Sequence, residues 1–594
     1  MWQGRYMFVS SFCREVCAKL NNVSVNEVKV GMSRTDTIKI FAGLVLLGFA
    51  AYMQFITGFV GDKDMELALA RMWVDGKKLY VDIFAVSPPL IFWIYALPVV
   101  LSHYVSFLKD YQLLVLMGLA TAVLSIAIST WLISRHPAFA GNRKKISEFI
   151  ALTCFVFIFW TSPTYFFDRE HILLLLIFPY IIRLLPSLHS LRISISLRML
   201  IGCMAGIGFC MKPHCAILWT GIQIVCFLRQ RSGRIFSSIE NICIYSVGAL
   251  YIFSVWRFTP EYIYIIMPMA MVTYSAANER MGGLYYCAVA FLAFAVTFVD
   301  FRLRYTSPYR KDILYFVGLL PFFLLYALTN NGWGYTYNPL ISFILITTGW
   351  VWWEYSYLRK DYIARGLPAT QFAQGSFACM TNFTVNAALT LFVFIQLLTF
   401  NCNDYTDRCK QDDAVVREIS SDSQIHSFGT ISGDFGTWSW LSRELGARWE
   451  TRFNHLWMLS KFIVSDAEFK TKHQWILDYV GNAMAQDLEE RKPDIVFVDH
   501  NPEFLHTDKH IDLLSYFMAY PRFAKAWQHY RYVHTIGSCD KHKNTATLFP
   551  WMWQTQSSET INMPASAASL PITTTEKGKA ACGLFDVYRR VSAN

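Results

Sequence analysis

Long apolar runs recur along the first 400 positions of the chain, separated by short polar connections. A membrane-spanning helix needs about 20 consecutive, mostly apolar residues, within about 17 to 25. Runs of that kind cover 38–58, 111–134, 147–165, 171–187, 197–211, 215–229, 239–257, 283–300, 312–329, 336–353 and 377–400, which predicts eleven spans. Two of them, 197–211 and 215–229, are short, as tilted or partly shallow helices are. Residues 1–37 are polar and mixed, and no apolar core followed by a small-residue cleavage site marks a signal peptide there. After residue 400 the pattern changes. The stretch 401–594 is polar, charged and turn-rich, and contains the buried-strand pattern Asp494-Ile-Val-Phe-Val-Asp499. It reads as a soluble α/β domain that includes a loose, Ser/Thr/Pro/Ala-rich linker over 555–575.

Basic residues set the expected orientation. Arg135, Arg143, Lys144 and Lys145 lie in one connection; Arg183, Arg192 and Arg198 in the next basic one; then Arg229, Arg231 and Arg234. Arg302, Arg304, Arg310 and Lys311 follow, and then Arg359, Lys360 and Arg365. The connections between them, around 164–170, 212–214, 258–282 and 330–335, are poor in Lys and Arg. Cytoplasmic loops carry the basic excess, so this alternation puts the first set inside and the second outside. Counting the apolar stretch 89–107 as a span would reverse the Arg143-Lys144-Lys145 connection. It also holds Pro88-Pro89, Pro98 and His103, which suit a helix lying at the outer surface. The first external loop then runs from 59 to 110, and 258–277, with Pro260, Glu261 and Pro268, reads similarly.

Composition narrows the class. Of the 594 residues, 54% are hydrophobic and 16% are charged, where soluble domains carry about 25% charge, so a soluble multidomain enzyme is excluded. The 47 Phe, 31 Tyr and 19 Trp exclude a disordered chain. The net charge of +10 is accounted for by topology, and no basic block interleaved with aromatics points to nucleic acid. Cys402, Cys409, Cys539 and Cys582 fall in the tail, where an even count in an oxidising compartment permits disulfides, the pair Cys402–Cys409 first among them. The other ten of the 14 cysteines show no metal-ligand spacing and read as small apolar fillers.

The chemistry concentrates in the first external loop. It reads Gly61-Asp-Lys-Asp-Met-Glu66, an amphipathic stretch ending at Gly76, then Tyr80-Val-Asp82 and Ser87-Pro-Pro-Leu90. Taken alone, Asp62, Asp64 and Glu66 are explained by the favourable placement of acids at a helix N-terminus. At 166–171 the chain reads Phe-Phe-Asp-Arg-Glu-His, opening a span from the same face, and Met211-Lys-Pro-His214 forms a tight external turn. Arg169 at a membrane boundary has an innocent reading as a snorkelling side chain, and Lys212 as a partner of lipid phosphate. The sequence Asn330-Asn-Gly-Trp-Gly-Tyr-Thr-Tyr-Asn-Pro339 opens a later span, also from outside.

An acidic pair after the first span, an amphipathic helix ending in Gly, then Tyr-x-Asp and Pro-Pro-Leu, resembles the first periplasmic loop of GT-C fold glycosyltransferases. The likeness is to the protein O-mannosyltransferase and aminoarabinose transferase branch, in bacterial envelope form with a C-terminal periplasmic domain. It covers roughly residues 38–400 in architecture and is most specific over 61–90. The resemblance implies a first-loop Asp acting as general base on an acceptor hydroxyl, and a polyprenyl-phosphate-linked sugar as donor. It also implies inversion at the anomeric carbon. Spacing from Gly76 matches that base to Asp62, whereas the Asp-Met dipeptide matches it to Asp64. Glu66, Tyr80, Asp82, Arg169, Glu170, His171, Lys212, His214, Trp333 and Tyr335 are the candidate substrate-binding residues. Some members of that family hold a divalent metal through such carboxylates and others do not; Asp62, Asp64 and Glu170 are the candidate ligands. Relatives carry a Lys-Gly-Trp-x-Tyr-His pattern at the later loop, where this chain has Asn331 and Thr336, a departure from a phosphate or proton-transfer role.

The expected protein is thus mainly α and polytopic, with about 11 transmembrane helices, an external first loop with juxtamembrane helices and a C-terminal soluble α/β domain. Residues 1–37 form a cytoplasmic segment, 38–400 the GT-C-like transmembrane domain and 401–594 the extracytoplasmic domain, in a bacterial inner membrane. The expected activity is transfer of a sugar from a polyprenyl-phosphate donor to an envelope glycan, lipid or protein acceptor, with membrane lipids as surroundings and no nucleic acid partner. The alternative is a transporter or flippase of lipid-linked saccharide, which would place ionisable groups near mid-membrane on interrupted helices. A scaffold leaves the 61–90 loop unexplained.

Overall fold

Polar caps cut the apolar runs into helices. The computed structural model describes residues 62–159, 161, 165–188, 191–274, 310–329, 334–364, 415, 418–420, 422–433, 438, 442, 446–499, 510–538, 572–573 and 583–591, with Gly48 and Tyr52. The chain divides into two compact units, Met1–Tyr52 and Met53–Asn594, and nearly all described residues belong to the second. The expected spans 38–58, 283–300 and 377–400 and the four tail cysteines lie outside the described residues, apart from Gly48 and Tyr52.

The first loop holds two helices, α1 (Asp62–Val74) and α2 (Pro89–Ser102). Gly76, at φ 101°, adopts a left-handed conformation just past the end of α1 that a side chain resists. Pro89 opens α2 at a position where its missing N–H costs nothing. Then follow α3 (Asp110–Ile133), α4 (Arg143–Cys154) continued by a wide turn over Phe155–Phe159, and α5 (Arg169–Arg183). Next come α6 (Ile195–Phe209), α7 (Cys215–Gln230) and α8 (Ile239–Phe258). A wide turn over Tyr262–Ile266 leads into α9 (Met267–Thr273), and α10 (Arg310–Thr329) and α11 (Asn338–Ala364) follow. Side chains of Asn142, Asp168, Ser194 and Ser238 accept the N–H three residues on and so start α4, α5, α6 and α8.

Three described helical stretches, Asp110–Ile133, Ile239–Phe258 and Lys311–Leu328, are long and apolar enough to cross a membrane by length and composition. Leu250, Ile252, Phe253, Trp256 and Phe258 of α8 are exposed, an apolar patch of the kind that lipid rather than water covers. The helices meet in polar clusters at both ends. At one end Asp312 of α10 bonds His136 at 2.9 Å and also the Ser187 hydroxyl, while Glu240 of α8 accepts from Arg198 at 2.8 and 2.7 Å. At the other end Arg71 of α1 pairs with Asp110, the first residue of α3. Next to Glu240, Tyr180, Gln223 and Asn241 close a neutral network, with Tyr180 donating to Asn241 at 2.8 Å and Gln223 to Tyr180 at 2.8 Å.

The tail carries a five-stranded sheet of order β2-β1-β3-β7-β5, built from β1 (Ser427–Ile431), β2 (Arg448–Trp449), β3 (Ile495–Asp499), β5 (Tyr530–Ser538) and β7 (Gly583–Arg590). The apolar run after Asp494 forms β3, buried throughout and parallel to β1, as an inner strand covered on both faces requires. Trp438 packs on the sheet against Phe428 of β1 and Phe497 of β3. The helix α14 (Gln474–Glu490) follows α12 (Leu459–Val464) and α13 (Ala467–Lys472). Two short helices, α15 (Leu513–Met518) and α16 (Pro521–Trp527), precede β5. Within the stretch expected as a linker, Ile572–Thr573 forms β6 and pairs with β4 (His510–Ile511). The rest of that stretch lies outside the described residues.

Helices α6 and α8 touch through Gly202, where an added Cβ would stand 2.5 Å from the Glu240 carbonyl oxygen. Backbone cannot step aside as a side-chain tip can. Gly202→Ala is expected to cost about 1–3 kcal/mol, read as a lowered unfolding temperature in detergent. Gly248→Ala, with open space around it, serves as the control and should not destabilise.

Candidate functional site

The N-terminus of α1 delivers Asp62, Lys63, Asp64 and Glu66 to one end of the helical body. One turn of helix separates Asp62 from Glu66, which brings both carboxylates to one side. The N-terminus of α5 supplies what they face. Arg169 reaches Asp62 at 2.5 Å and Glu66 at 3.0 Å, and its guanidinium also donates to the Ser87 hydroxyl. Ser87 in turn donates to Glu66 at 2.6 Å, and Tyr80 donates to the Ser87 carbonyl at 2.6 Å. The result is a closed knot joining α1, the loop before α2, and α5.

A second pair lies beside it. Lys212, in the turn between α6 and α7, bonds Glu170. The Lys212 ammonium stands 5.1 Å from the Tyr335 ring centroid and the Arg169 guanidinium 6.0 Å from the same ring, so one aromatic face bridges both cations. Tyr165 packs against Tyr335 at 5.9 Å.

Exposure separates the two candidate bases. The Asp62 side chain is 27% exposed, whereas Asp64 is 2% exposed as a residue. Only Asp62 offers an oxygen to an incoming group from solvent. Asp62, Glu66, Arg169, Glu170, Lys212 and Tyr335 are brought together. The other candidates are placed differently. Tyr80 is buried at φ 67° and props the loop. Asp82 accepts the Lys78 N–H at 2.8 Å and pairs with Arg491 of the tail at 2.9 Å. His171 is buried, and its Nδ1 accepts the Phe167 N–H at 2.9 Å, which ties the turn that precedes α5. His214 is exposed at the start of α7, and Trp333 lies outside the described residues. Thr336 is buried in the turn before α11.

The candidate metal ligands do not form one donor set. Asp62 faces a guanidinium and Glu170 an ammonium, and no three ligand-type side chains converge among the described residues. As arranged, the positions that a dication would take are filled by cations of the chain, so the residues do not fit such an ion.

Several site residues escaped the sequence reading. Lys63 is 2% exposed and donates to the Phe166 carbonyl at 3.0 Å. Asp168 caps α5, and Tyr95 of α2 donates to the Phe167 carbonyl at 2.7 Å. Asp168 stands in the same Asp-Arg-Glu-His run as its neighbours, which was a usable signal. Lys63, between two acids, carries no local mark of its burial.

No protein-family profile matches the chain, and no curated protein sequence matches it. Among solved structures, the chain is similar to the crystal structure of ArnT from Cupriavidus metallidurans bound to undecaprenyl phosphate. The identity is 11% and the TM-score 0.47, over 77% of this chain and 93% of that one. A likeness at that level does not extend to individual residues or ligands.

Burial gives the knot its pH dependence. It pushes the Glu66 carboxyl up to about 7, opposed by Arg169 and helped by Asp62. It lowers the Lys63 ammonium to about 7, opposed by Asp168 and Asp64. Between 4.5 and about 7 the folded chain keeps a Glu66 proton that the unfolded chain has released, so this contribution to stability is full below 4.5 and lost as pH rises through 7. Lys63 runs the other way, its contribution full above 10.5 and lost as pH falls through 7. Glu66→Gln should therefore remove a fall in stability below pH 7, and Lys63→Met a rise above it. Each effect should be on the order of a few kcal/mol in unfolding curves taken across that range.

Proposed function

We propose that this protein is an integral-membrane, inverting glycosyltransferase that moves one sugar from a polyprenyl-phosphate donor to an envelope glycan, lipid or protein acceptor. The observation that carries this reading is a half-open carboxylate, Asp62, held by Arg169 beside a second cation, Lys212, at one end of the helical body. That is a base and an anion site side by side. The donor chemistry comes from the resemblance of the 61–90 loop to the GT-C first loop.

In this reading the acceptor hydroxyl approaches Asp62, which takes its proton as the oxygen bonds to the anomeric carbon. The bond from that carbon to the phosphate oxygen breaks on the opposite side, so the configuration inverts. The electron pair leaves with the polyprenyl phosphate. Lys212 and Arg169 stabilise the charge that gathers on that oxygen, and the Tyr335 ring keeps both cations in place. Glu66 and Ser87 hold the guanidinium so that Asp62 keeps its position.

Sidedness follows from charge. The end that carries Arg135, Arg143, Lys144, Arg198, Arg231 and Arg234 is assigned to the cytoplasm, and the Asp62 end with the tail to the periplasm. The described ion pairs of the helical body lie at the helix ends, which favours an enzyme working at the membrane surface over a transporter, since a transport path calls for ionisable groups near mid-membrane.

Purified protein would be given a panel of radiolabelled polyprenyl-phosphate sugars and envelope extract. Asp62→Asn should lower transfer by about 10²–10⁴-fold with the fold retained, and Lys212→Ala should lower kcat by about 10²–10³-fold. Asp64→Asn should retain transfer if it folds. Loss with Asp64→Asn alone would move the base to Asp64. Labelled lipid crossing vesicles equally in wild type and variants, without any turnover, would replace the enzyme by a transporter.

A further inference from the structure

The loop over 77–88 connects α1 to α2 and has little regular structure of its own beyond a single bridge between Leu79 and Ile83. Its polar groups are met from more than 360 residues away. The Lys77 ammonium donates to the Trp449 carbonyl at 2.6 Å and to Glu450 at 3.1 Å. The Phe84 N–H donates to the Arg452 carbonyl at 2.9 Å, and the Phe84 and Phe453 rings meet at 5.0 Å. Asn454 bonds the sulfur of Met65, between Asp64 and Glu66 on α1. Arg491 makes three contacts at once: the Asp82 carboxylate at 2.9 Å, the Asp82 carbonyl at 3.0 Å and the Glu450 carbonyl at 2.9 Å.

Arg491 is itself anchored. It follows α14 and stands 3.5 Å from Asp487, a fully buried carboxylate that also takes the Arg452 N–H at 2.7 Å and the Arg452 guanidinium at 2.9 Å. From Arg491 a chain of bonds runs into the knot. Asp82 lies two residues from Tyr80, Tyr80 holds Ser87, and Ser87 holds Glu66 and Arg169. Arg169 holds Asp62.

We propose that Arg491 is a positioning residue for the Asp62 site: through it the tail grips the first loop and sets where the carboxylates stand. The grip on the loop stands on the geometry alone, while its effect on turnover rests on the glycosyl-transfer reading above. Without Arg491 the Asp82 carbonyl and the Glu450 carbonyl turn to water, and the loop gains freedom that the knot transmits to Asp62. Arg491→Ala leaves Asp487 its bonds to Arg452, so the tail keeps its own anchor.

The test uses the full chain with two readouts. Hydrogen exchange should show the 77–88 amides exchanging at least about ten-fold faster in Arg491→Ala, with α14 unchanged. Turnover should fall about ten-fold or more in kcat, with the donor KM held within about two-fold, and Arg491→Lys should recover part of the loss. Adding Asp82→Ala to Arg491→Ala should cost little more, because the two act through one contact. Unchanged exchange in the loop overturns the proposal, and so does an equal loosening of α14. Faster loop exchange with unaltered kcat in an active protein also overturns it. If the wild type transfers no sugar while the exchange behaves as expected, the grip stands and the glycosyl-transfer reading falls.

Discussion

A guanidinium buried among carboxylates is the constraint on which the first-loop end of this molecule depends. Arg169 is 6% exposed, and a charge at that depth has to be matched by partners held in place. Asp62 and Glu66 match it from α1, and Ser87 completes the set. Removing the guanidinium leaves the buried Glu66 without its cation, which typically costs about 3–5 kcal/mol. The knot therefore ties the placement of the Asp62 carboxylate to a folding requirement. Three segments distant in sequence have to arrive together before the charge is satisfied.

That coupling explains the division of labour among the helices. α3, at 24 residues, spans about 36 Å, with Asp110 tied to Arg71 at one end and His136 tied to Asp312 just past the other. Beside Glu240, the polar side chains of Tyr180, Gln223 and Asn241 satisfy one another without charge. Among the described residues of the helical body, the ion pairs sit at the helix ends, where loops deliver them. The tail sheet supplies a second rigid body at the first-loop end, and its Trp449–Asn454 segment meets the backbone of a loop that could not satisfy its own polar groups.

The wide turns and prolines follow the same logic. Phe155–Phe159 departs from α-helical spacing where the apolar run of α4 ends, and Tyr262–Ile266 does so between α8 and α9. Phe167 and Tyr80, both at positive φ, sit in the two turns that bear on the knot. Strain of this kind is held only where surrounding contacts over-determine the backbone, as the Tyr95 and Tyr80 hydroxyls do here.

Much was legible in the sequence because it depends on local pattern alone. Apolar run length predicted α3, α5 to α8, α10 and α11 to within a few residues over most of their ends, Gly76 marked the end of α1, and the run after Asp494 marked β3. Residue chemistry also singled out Asp62, Arg169, Glu170 and Lys212, since charges at a membrane boundary ask for partners. What pairing they make was a tertiary matter. Nothing local says that Arg169 closes on Asp62 and Glu66 while Lys212 closes on Glu170, or that Asp62 stays half-open and Asp64 is buried. Asp82, a substrate-binding candidate by its sequence, also docks the tail, because Arg491, 409 positions away, reaches it once the tail sheet forms. Periodicity and composition are properties of neighbours along the chain; burial and charge pairing are properties of neighbours in space, and only the fold decides those.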